Sequence, residues 1–273
     1  MYPFIHIGSF AIATYGLTVW CAAMVATIVL SRNLKRWKIK ADAITIIAFA
    51  TIMGFVGGKL YHVLEKPVLL IHHPALLINR AGFAWYGGLI AGILALLWQA
   101  RTYHLRPLRL LDLCVPSAAI GYGIGRVACF MAGDGCYGIP TKSWMGVSFP
   151  HGIVPTTQKV LPTPIFELIG GLIIFFILWR RSRPGASIRM GQITGEYLIW
   201  AGGARFLVEF VRINPKIFLG LSNAQWASVA SMLGGVLLVL WSRKHPYLPA
   251  PGEQDDSDVA AQSLAAEELS SIV

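Results

Sequence analysis

Arg126 and Arg205 stand inside long apolar stretches of this sequence. A charged side chain in hydrocarbon costs roughly 2.5 to 3.5 kcal/mol on insertion scales, so each needs a partner, a water-filled cavity or a function. Two guanidiniums at one depth suit a phosphate, because the planar fork binds two oxygens at once and keeps its charge when desolvated. Arg205, Glu209 and Arg212 follow the i, i+4, i+7 spacing of one helical face, which fits a structural ion-pair stripe as well as a headgroup site. Arg126 has no acid one turn away. Gly121, Gly123 and Gly125 open space beside it, although small residues also serve close helix packing.

Other reactive side chains give weaker signals. Lys59, just after Gly57 and Gly58, suits snorkelling to an interface. Tyr15 and Tyr86 fit either an aromatic belt or the arginine site. His62, His72, His73, His104 and His151 show no ligand spacing with a carboxylate, so no metal is expected; the adjacent His72 and His73 read as a solvated loop. None of the four cysteines falls in a C-x-x-C pattern. Cys129 and Cys136, toward the oxidising side, could form a disulfide, whereas Cys21 and Cys114 read as small packing residues.

The elements that must position these groups are membrane helices. Of 273 residues, 55% are hydrophobic and 13% charged, with a mean hydropathy of +0.60. A soluble domain carries about a quarter charged residues, so an ordinary soluble protein is excluded. Spanning the hydrocarbon takes about 20 apolar residues. Seven windows qualify, at residues 10–31, 42–64, 83–100, 107–131, 163–179, 191–211 and 225–241. The expected fold is an all-α membrane protein with seven transmembrane helices. Uncharged residues precede the first window and no small-residue cleavage site follows it, so it reads as a retained helix. Residues 1–248 form the membrane domain. Within it, the Gly- and Pro-rich segment 132–162, with Trp144, Phe149 and His151, is expected to rest on the outer surface. Residues 249–273, with six of the 13 acids, read as a disordered acidic cytoplasmic tail.

Basic residues outnumber acidic ones 23 to 13, for a net charge of +10. In a soluble chain that would suggest nucleic acid; here it is mostly a topology code, and no nucleic-acid partner is expected. Arg32, Lys35, Arg36, Lys38, Lys40, Arg101, Arg106, Arg109, Arg180, Arg181, Arg183, Arg189, Arg243 and Lys244 fall on one side, against Lys66, Arg80, Lys142, Lys159, Arg212 and Lys216 on the other. This places the N-terminus outside and the C-terminus in the cytoplasm. At 1.5 Å per residue, Arg126 lies about 28 Å and Arg205 about 21 Å along outward-running helices. Lys59, Tyr15, Tyr86 and Glu167 share that outer level. The charges cluster in one leaflet, and no internal repeat is visible, which argues against a transporter.

Residues 125–141, Gly125-Arg126-Val127-Ala128-Cys129-Phe130-Met131-Ala132-Gly133-Asp134-Gly135-Cys136-Tyr137-Gly138-Ile139-Pro140-Thr141, resemble the signature of the prolipoprotein diacylglyceryl transferase family, in a variant branch reading GR-x-x-C-F-x-x-G-x-x-C-Y-G-x-P-T. Supporting matches are Ile7-Gly8 with Tyr15-Gly16-Leu17, Gly57-Gly58-Lys59, Gly87-Gly88-Leu89-Ile90, Pro162 to Glu167, and Arg205 to Arg212. The resemblance covers nearly the whole chain to about Trp241.

It implies transfer of the diacylglyceryl group of phosphatidylglycerol to the lipobox cysteine thiol of a prolipoprotein, releasing glycerol phosphate, as the first step of bacterial lipoprotein maturation. The expected location is the bacterial cytoplasmic (inner) membrane, as a multi-pass protein. Phosphatidylglycerol, the prolipoprotein signal peptide and membrane lipids are the implied partners, and no cofactor is implied. The resemblance places Arg126, Arg205 and Tyr86 in the catalytic set. It assigns Arg126, Tyr15, Gly87, Gly88, Cys129, Gly133, Asp134, Glu209 and Arg212 to binding phosphatidylglycerol. Tyr86 stands where the better-known branch has a histidine assigned as base. Since a phenol of pKa about 10 is a poor base at neutral pH, thiol deprotonation is handled otherwise, for example by arginine lowering the thiol pKa, or the chain has diverged. The alternative is a non-catalytic or different-acceptor phospholipid-binding protein on the same scaffold.

Overall fold

The computed structural model describes residues 4–7, 10–65, 83–186 and 188–245. Gly8, Lys66, His72, His73, Arg80 and the acidic tail lie outside them. The described chain is mostly helical, with α1 (Thr14–Arg36), α2 (Ala43–Leu64), α3 (Trp85–Thr102), α4 (Pro107–Ala132), α5 (Thr163–Arg181), α6 (Gln192–Glu209) and α7 (Asn223–Ser242). Every apolar window holds one helix. The first window begins too early, because residues 10–13 are a strand and the helix starts at Thr14. Five helices, α1, α2, α4, α5 and α7, are long and apolar enough to cross a membrane. The other two are 18 residues each and more polar: α3 carries Gln99 and Arg101, and α6 carries Glu196, Arg205 and Glu209.

The all-α expectation needs one correction. Among the described residues, one antiparallel hairpin precedes α1 and two lie between helices: β1 (Phe4–Ile7) with β2 (Phe10–Ala13), β3 (Val147–Phe149) with β4 (Thr156–Val160), and β5 (Lys216–Phe218) with β6 (Leu221–Ser222). These segments are too short or too rich in Gly and Pro to continue a helix, so their backbone groups pair across strands instead. Phe149 departs from its expected surface role. It is buried, with its ring 5.7 Å from Phe130 and 5.2 Å from Tyr137, and so anchors the β3–β4 hairpin to the end of α4. Trp144, at 90% exposure, does stand free.

Two compact units divide the described residues, one running to Leu30 and resuming at Asp112, the other from Ser31 to Leu111. In the first, Asp112 on α4 organises α6. Its carboxylate accepts from Gly191 N at 2.6 Å, Thr194 N at 2.8 Å and Thr194 Oγ1 at 2.6 Å. Gly191, in the left-handed region with φ 83°, has no capping side chain of its own, so Asp112 serves the orphan amides where the helix dipole favours an anion. That bond fixes the helices carrying Arg126 and Arg205 to one another.

The second unit is held by α2 and α3. Asp42 caps α2 through Ile44 N and Thr45 N, and the bond from the Thr45 hydroxyl, together with those two, holds its carboxyl below the usual carboxylate range. Gln99 Nε2 donates to Ile46 O at 3.1 Å. A Cβ on Gly87 would strike Gly57 O and Tyr61 Cβ, and one on Gly88 would lie 3.1 Å from Gly54 O. Gly87 and Gly88 therefore serve a tight backbone contact in which no larger residue fits. Lys59 Nζ stands 5.4 Å from the centre of the Phe83 ring.

Candidate active site: three arginines around Glu167

Arg126, Arg205 and Arg212 converge on one carboxylate. Glu167, in the first turns of α5, lies 3.3 Å from Arg126 Nε, 2.9 Å from Arg205 Nη1 and 3.4 Å from Arg212 Nη1. Its Oε1 also accepts the Tyr122 hydroxyl at 2.9 Å, and that hydroxyl in turn accepts from Arg126 Nη2 at 2.9 Å. Tyr122 is one turn before Arg126, and the guanidinium lies 4.6 Å from the centre of its ring. The Glu167 side chain is only 3% exposed, and the charge-assisted character of these bonds makes them strong.

A second carboxylate completes the cluster. Glu209 Oε2 lies 2.7 Å from Arg205 Nη2 and 3.7 Å from Arg212 Nε, so the ion-pair stripe read from the sequence exists. Glu209 Oε1 accepts from Asn214 Nδ2 and from Ser222 Oγ. Ser222 is the N-cap of α7 and forms a capping box with Gln225. Three guanidiniums gathered at one place offer the forked donors that an anion such as a phosphate accepts from. The pattern thus serves both readings: stripe and phosphate site are the same residues.

The glycine ladder resolves into two roles. A Cβ on Gly121 would touch Ala26 of α1 and one on Gly123 would crowd Leu168 and Gly171 of α5, whereas Gly125 has open space beside it. Only the glycine next to Arg126 leaves room for a ligand.

The signature segment wraps the end of α6. Gly138 N donates to Leu161 O, and Ile139 N donates to Val211 O at 2.8 Å. A Cβ on Gly138 would strike Val211 O, so the glycine permits the close pairing of residues 138 and 212. Gly133, with φ 59°, closes α4, and a Cβ there would lie 2.7 Å from Gly152 Cα. Its expected binding role thus comes with a structural one. Asp134 Oδ1 accepts from Cys136 N at 3.1 Å. Tyr15 lies within electrostatic reach of Arg126, Cys129, Asp134 and Cys136.

Both sulfurs are free thiols in this structure. Cys129 Sγ, Cys136 Sγ and an Asp134 carboxylate oxygen lie within 4.8 Å of one another. That trio has the donor set of a soft cation, but Arg126 acts on Cys129 and Arg212 on Cys136, so a cation there would meet two guanidiniums. The surroundings favour an anion. The neighbouring Cys129 thiol and the Arg212 guanidinium draw the Cys136 thiol below its usual value, against desolvation and the Asp134 charge.

Of the expected site residues, the structure brings together Arg126, Arg205, Arg212, Glu209, Tyr15, Cys129, Gly133 and Asp134. Tyr86, Gly87 and Gly88 belong to the other unit. Sequence reasoning grouped Glu167 with the arginines, which the contacts show, without making it the hub. It missed Tyr122, whose i, i−4 spacing from Arg126 was the available signal, and Ser222, whose Ser-x-x-Gln pattern marks a capping box. Nothing local to Asn214 points to Glu209.

The sequence profile of the prolipoprotein diacylglyceryl transferase family matches residues 3–241. A phosphatidylglycerol–prolipoprotein diacylglyceryl transferase of Clostridium tetani is 32% identical over 229 residues, covering 82% of this chain and 90% of its own. One from Paracidovorax citrulli is 31% identical over 273 residues, covering 90% and 98%. One from Streptococcus uberis is 29% identical over 250 residues, covering 90% and 96%.

Proposed function

The chain belongs to the prolipoprotein diacylglyceryl transferase family, and we propose that Arg126, Arg205 and Arg212 hold the phosphate of phosphatidylglycerol while its diacylglyceryl group passes to the lipobox cysteine of a prolipoprotein. The enzyme is a transferase. The acceptor thiolate attacks the glyceryl carbon next to the phosphate ester oxygen, the carbon–oxygen bond breaks, and the electron pair leaves with glycerol phosphate. Charge therefore builds on the phosphate as the bond breaks, and preorganised guanidiniums stabilise it most in a site closed to water.

The observation that carries this reading is the convergence of three guanidiniums, Arg126, Arg205 and Arg212, on the one buried carboxylate of Glu167. Glu167 keeps three like charges in one place until substrate arrives. Tyr15, Cys129, Gly133, Asp134 and Glu209 complete the phosphatidylglycerol site, and Tyr86, Gly87 and Gly88 keep the roles that the family resemblance assigns them.

The chain spans the bacterial cytoplasmic membrane seven times, with the N-terminus outside and the C-terminus in the cytoplasm. The asymmetric loop bases support this orientation, and it sets the arginines in the outer leaflet, where the lipobox cysteine of an exported precursor is presented. Incubating the purified protein with phosphatidylglycerol labelled in its acyl chains and a lipobox peptide tests the reading. Label should move to the peptide. A protein that binds the lipid and transfers nothing would instead be the non-catalytic lipid binder.

A further inference from the structure

A second group of arginines lies at the far ends of the helices that carry the Glu167 cluster. Glu167 is in the first turns of α5 and Arg181 closes that helix, about 21 Å further on at 1.5 Å per residue. Likewise α7 runs from Ser222, bonded to Glu209, to Ser242 at its other end. Between those far ends and the start of α6 there is a cavity of about 610 Å³, within the range that takes small ligands. Arg181, Arg189 and Arg243 line it, and Glu196 is the one acid among its described lining residues.

Glu196 is already engaged. Arg181 grips it with Nη2 at 2.6 Å from Oε1 and Nε at 3.2 Å from Oε2, and Gln192 Nε2 donates to Oε1 at 3.0 Å. Gln192 Oε1 in turn accepts from Arg189 N at 3.1 Å, which fixes the turn that brings Arg189 to the cavity wall. Arg243, exposed at the C-cap of α7, has no acid within ion-pair distance among the described residues. Guanidiniums from three separate stretches of chain thus meet at one cavity whose carboxylate is engaged, a setting that suits a phosphate.

Depth selects the kind of phosphate. Both α5 and α7 are long and apolar enough to cross a membrane, so Arg181, the last residue of one, and Arg243, the first past the other, fall at headgroup level. Val239 gives the cavity an apolar wall, and Val236, Leu237 and Leu240 in the same stretch of α7 are exposed where acyl chains would run. Basic pockets between membrane helices hold anionic headgroups in this way. We propose that this cavity is a second anionic phospholipid site, with the headgroup phosphate held between Arg181, Arg189 and Arg243 in the leaflet opposite the reaction. The lipid bound there is not the substrate, because the cavity stands at the other end of α5 from Glu167. On the orientation proposed above, that leaflet is the cytoplasmic one.

The test is photolabelling of the full chain in phosphatidylcholine vesicles by phosphatidic acid that carries a diazirine in its acyl chain, with the labelled peptides mapped. Label should fall on the Leu233 to Arg243 stretch of α7. Arg189→Gln combined with Arg243→Gln should cut that label by about tenfold, since each removes a charge-assisted bond to phosphate. Arg243→Glu should do the same; Arg243 is exposed and makes no described ion pair, so this variant should melt at the temperature of the intact protein. Arg126→Ala should leave the label on α7 in place. Equal labelling of that stretch in Arg243→Glu, or by a phosphatidylcholine carrying the same diazirine, overturns the proposal. Displacement of the label by millimolar inorganic phosphate would assign the cavity to free phosphate and overturn the lipid assignment. Labelling needs no turnover, so its result is independent of the transferase reading.

Discussion

Arg126 on α4 and Glu167 on α5 are joined Nε to Oε2 at 3.3 Å, and the same carboxylate collects Arg205 and Arg212. Glu167 is thus the counter-charge for an entire anion site. Glu167→Gln leaves three guanidiniums facing only Glu209. Breaking a buried ion pair costs roughly 3 to 5 kcal/mol, so the variant should unfold at clearly lower temperature in detergent and lose at least tenfold in transfer. Unchanged melting would show that Glu167 is not the hub.

Arg126→Ala and Arg205→Ala should each lower kcat by about a hundred- to a thousandfold while the protein still inserts in membranes. Arg126→Lys should recover little, because an ammonium lacks the two-pronged geometry that matches a phosphate. Rates in membranes with equal amounts of each variant decide this; retained activity in both alanine variants removes the phosphate role.

Tyr122→Phe keeps the ring beside Arg126 and removes the hydroxyl that links Arg126 to Glu167. Hydrogen bonds to charged groups contribute about 1.5 to 3 kcal/mol, so transfer should fall by roughly tenfold or more. Tyr86→Phe, assayed alongside, reports whether the Tyr86 hydroxyl takes part in the reaction. A rate equal to that of the intact protein would leave Tyr86 with packing alone.

Gly138→Ala should displace Arg212 from its place beside Glu167 and Glu209 without altering Arg212 itself. The added methyl meets Val211 O, and the strand-like pairing of residues 138 and 212 must shift. Transfer should drop, with Arg126 and Arg205 still in place. Gly87→Val acts elsewhere, by forcing α2 and α3 apart at Gly57. Overpacking of this kind costs about 1 to 3 kcal/mol, visible as a lower melting temperature.

The helices and the pairing of the arginines were legible because both are written in local composition: an apolar run of about 20 residues announces a helix, and a charge inside one announces a partner. The hairpins were not legible. Phe149 looked like a surface aromatic because nothing in its neighbourhood names Phe130 and Tyr137 as the rings it packs against. The hub was half legible. Glu167 could be placed at the level of the arginines, but its role depends on Asp112 fixing α6 against α4, a contact 79 residues apart in sequence. The glycine ladder shows the same limit: spacing marked it, and only the packing separated Gly125 from Gly121 and Gly123.

The most direct measurement is the release of glycerol phosphate from phosphatidylglycerol, followed by phosphorus NMR as a lipobox peptide is added to the purified protein. Release should match the peptide consumed, one for one, and should be abolished when the peptide cysteine is serine and when Arg126 is alanine. Absence of release, or release that ignores the peptide thiol, would contradict a phosphate-clamping diacylglyceryl transferase.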